Sequence, residues 1–191
     1  AIHPEDLPID EETRLQPVSP YGTSKVTQDM LAWQYHRGYG LHTVRVRPFN
    51  HIGPGQNEVF VTSSFAKQIA EIEAGPHAPV LRHGNLEAKR DFTDVKDIVR
   101  AYWLILNHGQ PGEVYKVGSG QAVSIQHILD TLLSFAETPI IVEADPDRMR
   151  PSDTPVFVSD CTRLKQATGW EPEIPLEQTL YDILAYWRER V

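Results

Sequence analysis

Cysteine is almost absent from this 191-residue chain: Cys161 stands alone and has no partner within the sequence for a disulfide. That usage suggests a reducing compartment, and a cytoplasmic location is the expectation. No apolar run reaches the roughly 18 residues of a membrane-spanning helix. The opening Ala1-Ile2-His3-Pro4-Glu5-Asp6-Leu7-Pro8 has neither the basic end nor the apolar stretch of a signal peptide. It also lacks an initiator Met and reads like the middle of a loop, so a longer parent chain is expected. Basic charge is in deficit, with 18 Lys and Arg against 26 Asp and Glu and a net charge of −8. This balance argues against an extended nucleic-acid face but permits a local anion pocket. Zinc-ligand spacing, a Walker segment, a nucleophile elbow and an early strand–glycine turn–helix unit are all missing, and no metal is expected.

What is present reads as mixed α/β. Residues 1–20 are punctuated by Pro4, Pro8, Pro17 and Pro20 and read as an approach loop. A helix is predicted from Pro20 or Tyr21 to about Arg37, with Ser19 as its cap and Gly38 or Gly40 at its end. Leu41 to Arg47 alternates and is rich in β-branched residues, which predicts a strand. Its exit, Pro48 to Gly55, is a turn-rich connection of the kind that carries exposed functional groups.

Further along, helices are predicted over Val61–Ala74, from Asp94 to about Leu106, over Ser124–Phe135, over Asp160–Thr168 and over Leu176–Glu189. Short strands are predicted at Val80–His83, Arg90–Phe92, Glu113–Val117 and Pro139–Val142. The aromatic positions Trp33, Tyr102, Trp103, Tyr181 and Trp187 fall in amphipathic helices, where they are expected to face the core or a subunit contact.

Several residues carry chemistry. Tyr21 and Lys25 stand four positions apart, so a helix starting at Pro20 stacks them on one face. A phenol ordinarily ionises near pH 10, and a neighbouring ammonium favours the phenolate, which suits an acid/base for alcohol–ketone interconversion. The same spacing equally fits an aromatic at a helix start beside an exposed lysine. Asn50, after a strand and before Gly53-Pro54-Gly55, can donate and accept at once to a sugar or phosphate oxygen, or cap its own turn. His51 has no orienting partner in the sequence and reads as structural; Cys161 reads as a packing residue. Arg90 and Arg150 lie in turn regions where paired guanidinium donors suit a diphosphate, although adjacent aspartates also suit them as neutralised surface groups.

Taken together, Ser19-Pro20-Tyr21-Gly22-Thr23-Ser24-Lys25, Arg45-Val46-Arg47-Pro48-Phe49-Asn50-His51-Ile52-Gly53-Pro54-Gly55-Gln56 and Arg90-Asp91-Phe92-Thr93-Asp94-Val95-Lys96-Asp97 resemble the extended short-chain dehydrogenase/reductases, the NAD-dependent epimerase/dehydratase family. Val117-Gly118-Ser119-Gly120, Arg150-Pro151-Ser152-Asp153 and Thr168-Gly169-Trp170-Glu171-Pro172 extend the resemblance in the same order. The stretch from Phe49 through Ser64 to Glu73 is most similar to the branch that reduces GDP-linked keto-deoxy sugars.

The resemblance implies an α/β fold: the C-terminal portion of a Rossmann-type parallel sheet plus a smaller mixed α/β substrate-binding domain. The implied segments are 1–58, 59–92, 93–120 and 121–191, alternating between the Rossmann part and the substrate part. It implies NADP or NAD as cofactor, with Tyr21 as acid/base, Lys25 on the nicotinamide ribose, and Pro48 and Phe49 bordering the nicotinamide. Asn50, Arg90 and Arg150 would line the site of a GDP-linked keto-deoxy sugar, and the complete protein would be a homodimer. A nucleotide-sugar 4-epimerase, a 4,6-dehydratase and a non-catalytic nucleotide-sugar-binding module are the alternatives. The family's Gly-x-x-Gly-x-x-Gly fingerprint and its catalytic Ser or Thr precede the Tyr-x-x-x-Lys pair and have no counterpart here. On that ground, residues 1–191 alone are expected to bind a dinucleotide poorly and not to turn over.

Overall fold

A computed structural model describes residues 4–75, 78–149 and 154–191. Helix α1 (Pro20–Tyr39) starts where the sequence requires: the Ser19 hydroxyl accepts from the Gly22 N–H at 3.1 Å, and Pro20 fills a first-turn position that needs no donor. It ends at Gly40, whose φ of 68° is left-handed, with its N–H returned to the His36 carbonyl. Strands β1 (Arg45–Pro48) and β2 (Asn50–Ile52) follow, then helix α2 (Val61–Ala74), strand β3 (Val80–His83), and the short strands β4 (Lys89–Arg90) and β5 (Phe92–Asp94). Helix α3 (Val95–His108), β6 (Val114–Val117), β7 (Val123–Ser124), α4 (Ile125–Ser134), β8 (Ile141–Ala144), β9 (Val156–Phe157), α5 (Thr162–Thr168) and α6 (Leu176–Arg188) complete the order.

The pairings are mostly parallel. β1 runs beside β6 from Arg45↔Val114 to Pro48↔Val117, β2 beside β5, and β3 beside β8. β4 sits between an antiparallel β7 and a parallel β9. The architecture is therefore α/β, a Rossmann-like parallel portion joined to a smaller mixed region. The predicted strand from Leu41 begins only at Arg45. The Thr43 N–H turns back to the Leu41 carbonyl and its hydroxyl bonds the Ala32 carbonyl, so that stretch is tied to α1, and only the Thr43 carbonyl, accepting from the Gly112 N–H at 2.7 Å, reaches the segment before β6.

Two apolar clusters form. In one, Ala66 and Ile69 of α2, Leu129 and Leu132 of α4, and Leu180, Ile183 and Leu184 of α6 close around Leu81. In the other, Ile98, Ala101 and Ile105 of α3 and Leu164 of α5 pack on Tyr115, Val117 and Trp170. Of the aromatic helix positions, Trp187 packs against the first cluster. Trp33 (45% exposed), Trp103 (67%) and Tyr181 (48%) do not enter either core, whereas Trp170 does, with its indole N–H donated to the Asp97 carbonyl at 3.0 Å. No residue of α1 is buried.

Three buried carboxylates, spaced three residues apart, fasten the chain. Asp91 accepts from the Ser119 N–H and hydroxyl (2.7 and 2.6 Å), the Gly120 N–H (3.0 Å), and the Ser159 N–H and hydroxyl (3.1 and 2.5 Å). Asp94 caps α3 through the Lys96 N–H and accepts from the Thr179 hydroxyl on α6 at 2.8 Å. Asp97 receives the Glu173 and Ile174 N–H groups at 2.9 Å each. Gly118 is required beside this network, since a Cβ there would stand 2.7 Å from Asp91 Oδ2 and against the Ser159 hydroxyl. Replacing Asp91 by alanine leaves enclosed donors without an acceptor; a loss of about 3–5 kcal/mol is expected. Urea unfolding at pH 7 checks this, with Asp91→Asn, which keeps one acceptor oxygen, falling between wild type and alanine.

Candidate active site and its two clefts

The parallel strands end on a cleft of about 1060 Å³, and four of its contributors come from one short stretch of chain. β1 finishes at Pro48, the Phe49 N–H bonds the Val117 carbonyl at 2.8 Å, and the chain resumes as β2 at Asn50. Pro48, Phe49, Asn50 and His51 are thereby held at the C-terminal end of the sheet, where open α/β sheets bind ligands. Phe49 is buried and lies 4.6 Å, centroid to centroid, from Phe157 of β9. The His51 Nδ1 stands 3.2 Å from the Phe49 carbonyl.

Tyr21 and Lys25 form another part of the same cleft. Because Ser19 fixes the first turn of α1, the two side chains stack one turn apart, with the Lys25 Nζ 5.5 Å from the centre of the Tyr21 ring. Lys25 also donates to the Gln28 side chain at 3.3 Å. Tyr21 is 72% exposed and lines the cleft. Beneath them, Asp29 takes Arg45 at 2.8 Å and Arg47 at 2.7 Å. Burial raises the Asp29 carboxyl, but the hydrogen bonds from Arg47 and Arg45 outweigh it and hold it below the usual carboxylate range.

A second cleft, of about 770 Å³, opens on the α2 side and is lined by Arg82, Arg90, Arg148 and Lys67, by the carboxylates Glu58, Glu71 and Asp147, and by Ser64 and Asn85. Asn50, Val61 and Phe92 line both clefts, so the two meet at the start of β2 and β5. Arg90 donates to the Lys89 carbonyl at 2.8 Å, and burial lowers its pKa. The sequence-predicted residues thus fall into two groups joined at Asn50: Tyr21, Lys25, Pro48 and Phe49 in one cleft, Arg90 in the other. Arg150 lies outside the described residues. Among the described residues no group of three or more His, Cys, Asp or Glu is placed to hold a metal ion, and no helix is long and apolar enough to cross a membrane.

Sequence reasoning missed Arg82 and Arg148, and it missed Lys116. Lys116 is only 5% exposed, on β6 opposite Arg47, with its Nζ 5.6 Å from the Phe49 ring centre and facing the first cleft. Its signal was available: in Val114-Tyr115-Lys116-Val117, a lysine inside a short buried strand is out of pattern. Burial first, then the Arg47 charge, brings its pKa from 10.5 down to about 8. Cys161, whose thiol reaches the Gly118 carbonyl and the Ser159 hydroxyl, is pushed by burial up to about 11.

These shifts have opposite consequences for stability. Below pH 8 Lys116 is charged in both states, and its burial costs about 3 kcal/mol, the equivalent of its shift. From about pH 8 to 10.5 the folded chain sheds a proton that the unfolded chain keeps, so stability rises with pH. For Cys161 the unfolded thiol ionises first, and stability falls between pH 9.0 and about 11. Lys116→Met is therefore expected to stabilise the chain by about 2–3 kcal/mol at pH 7. That gain should fade as the pH rises past 8, as measured by urea unfolding of the two proteins at matched pH.

Comparison with known proteins fits this geometry. Residues 3–183 match the family model for GDP-mannose 4,6 dehydratase. A GDP-6-deoxy-D-mannose reductase of Pseudomonas aeruginosa is 40% identical over 185 residues, which is 97% of this chain and 61% of that protein. The Homo sapiens GDP-mannose 4,6 dehydratase is 28% identical over 198 residues, 94% of this chain and 53% of that one. Among solved structures, RMD from Pseudomonas aeruginosa complexed with NADPH superposes with a TM-score of 0.94 at 39% identity, covering all of this chain and 63% of that one. The Thermotoga maritima UDP-glucose 4-epimerase with UDP-glucose superposes with a TM-score of 0.79 at 27% identity, covering 95% of this chain and 57% of that one. The chain thus spans about three-fifths of the P. aeruginosa reductase and about half of the human dehydratase. With nearly its whole length matched, it belongs to the GDP-mannose 4,6-dehydratase family of extended short-chain dehydrogenase/reductases.

Proposed function

We propose that this chain is the substrate-side and proton-transfer part of an NAD(P)H-dependent reductase acting on the C4 keto group of a GDP-4-keto-6-deoxyhexose. The observation that carries this reading is the meeting of the two clefts at Asn50: a Tyr–Lys pair opens on one side of it and a guanidinium-rich wall on the other. A nucleotide sugar is bipartite in the same way, with a reacting ring at one end and a diphosphate toward the other. The 40% identity to a GDP-6-deoxy-D-mannose reductase favours reduction over the epimerase and dehydratase alternatives.

In this reading Tyr21 delivers a proton to the C4 oxygen as the ketone becomes an alcohol, and the Lys25 ammonium, one helical turn on, favours the negative charge left on the phenol oxygen. Asn50 hydrogen-bonds the sugar between the clefts, and Arg90 with Arg82 and Arg148 holds the diphosphate through charge-assisted donors. These contacts place the carbonyl over Tyr21, and that positioning is the protein's main contribution to the rate. The first cleft fits the nicotinamide end of a dinucleotide: Tyr21 and Lys25 form part of it, Pro48 and Phe49 another part, and its volume is about 1060 Å³. When bound there, NADPH or NADH supplies the hydride.

Segments 1–58 and 93–120 serve this cofactor side, and 59–92 and 121–191 the sugar side. The exposed Trp33, Tyr35 and Tyr39 of α1 suit a helix-paired homodimer of the complete protein. Calorimetry with GDP-mannose tests the reading. The chain is expected to bind it, Arg90→Ala to lose about tenfold or more in affinity, and Tyr21→Phe to bind as wild type does. Absence of GDP-mannose binding to the folded wild-type chain overturns it.

A further inference from the structure

The ionisable groups of the first cleft are strongly unbalanced. On a chain of net charge −8, it is lined by Lys25, Arg45, Arg47 and Lys116 against a single carboxylate, Asp29. Asp29 is already shared by Arg45 and Arg47. The other carboxylates near Lys116 are similarly engaged. Glu11, from the segment preceding α1, accepts the backbone N–H of Lys116 at 2.7 Å and pairs with Arg163 at 3.7 Å. Asp10 accepts from Thr13 and from the Glu12 N–H. Arg47 stands directly across the β1–β6 ladder and repels the lysine.

Lys116 is thus a mostly buried side chain whose ammonium faces the ring of Phe49, opposed by the Arg47 charge and favoured only from a distance by Glu11, Asp10 and Asp29. Among the described residues no carboxylate pairs with it. Burying a cation without a counter-charge is unfavourable, and Lys116 lines the cleft, where a counter-charge can reach it. An anion arriving there would find the Lys116 ammonium in the lining, with Lys25 and the Asp29-paired Arg45 and Arg47 in the same cleft, a setting that favours a charge-assisted hydrogen bond.

We propose that Lys116 is an oxyanion-binding residue: its ammonium, in the lining of the first cleft beside Phe49, receives a phosphoryl oxygen of the ligand bound there. This goes beyond the function proposed above, which assigns the diphosphate of the sugar to the second cleft and gives Lys116 no part. A phosphate in the first cleft is a separate contact, with its own donor on a different strand.

The test reads the lysine directly. Lysine carrying a ¹³C label at Cε is incorporated into the wild-type chain, and Lys116→Arg serves to assign the Lys116 signal. Its pH titration is then followed with and without millimolar inorganic pyrophosphate, with sodium chloride at matched ionic strength as the control. Binding of an oxyanion is expected to raise the Lys116 midpoint by about one pH unit or more over the chloride control. The shift should persist in Arg90→Ala, in which the second cleft is impaired. Separate titrations with GDP-mannose and with NADPH identify the source of the phosphate, and a shift with any of the three supports the site. A Lys116 midpoint unchanged by pyrophosphate, GDP-mannose and NADPH alike overturns it. So does a shift confined to Lys25. Because Lys116 is read independently of Arg90, failure here leaves GDP-mannose binding in the second cleft standing, and the converse also holds.

Discussion

The carboxylate of Asp91 is where three stretches of chain, far apart in sequence, are brought to one point. It sits between Arg90, which lines the second cleft, and Phe92, which lines both, and takes five hydrogen bonds from Ser119, Gly120 and Ser159. Each hydrogen bond to a charged acceptor contributes about 1.5–3 kcal/mol, and an enclosed carboxylate is tolerable only when its lone pairs are taken up in this way. With Asp94 holding α6 through Thr179 and Asp97 holding residues 173 and 174, seven consecutive positions set where the C-terminal third of the chain lies. The positions of β5, the turn after β6 and the strand at Phe157 all follow from that fastening. So does the place where the two clefts meet.

The same constraint explains a contrast in burial. Around the three aspartates the chain is closed: Trp170, Leu164 and Ile105 are inaccessible or nearly so. On the other side of β1 it is open. Among the described residues β1 pairs only with β6, no residue of α1 is buried, and α3 presents Val99, Trp103 and Leu106 to solvent. An open strand edge flanked by apolar side chains on its two helices is the surface that a parallel sheet normally covers with its next strand and helices. The relatives are longer than this chain, and α1 and α3 leave apolar side chains exposed to water. The exposure of Tyr21 belongs with this face, since it stands at the N-terminal end of α1 with nothing packed over it.

Much of this organisation could be read from the sequence, for identifiable reasons. Helix α2 spans Val61–Ala74 as its apolar spacing and the Gly75 stop predict, and α1 begins at its Ser-Pro signal. These long elements announce themselves by period and by cap. Strands β2, β7 and β9 are only two or three residues long, too short for any alternation to register, and each exists because a partner strand is delivered to it by the Asp91 network. The aromatic helix positions divide, Trp187 packing on the core and Trp33, Trp103 and Tyr181 staying exposed, because amphipathic spacing identifies an apolar face without saying what covers it. Trp170, near a Gly turn and outside any periodic run, gave no sign that it would be the largest fully buried side chain.

The site residues divide along the same line. Tyr21 and Lys25 are legible because a helix puts positions four apart together, and Asn50 because strand ends carry ligand groups. Lys116, Arg82 and Arg148 depend on which strands lie side by side, which no local pattern encodes. Lys116 shows what that difference means physically. In sequence it is one of 18 basic residues; in the fold, pairing with β1 sets it against Arg47, Glu11 is drawn to its backbone and to Arg163, and its ammonium is left facing the cleft. A surface lysine in the same strand would have water as its partner. Here strand pairing removes the water and assigns the nearby carboxylates elsewhere, so the lysine's chemistry is set by tertiary structure alone.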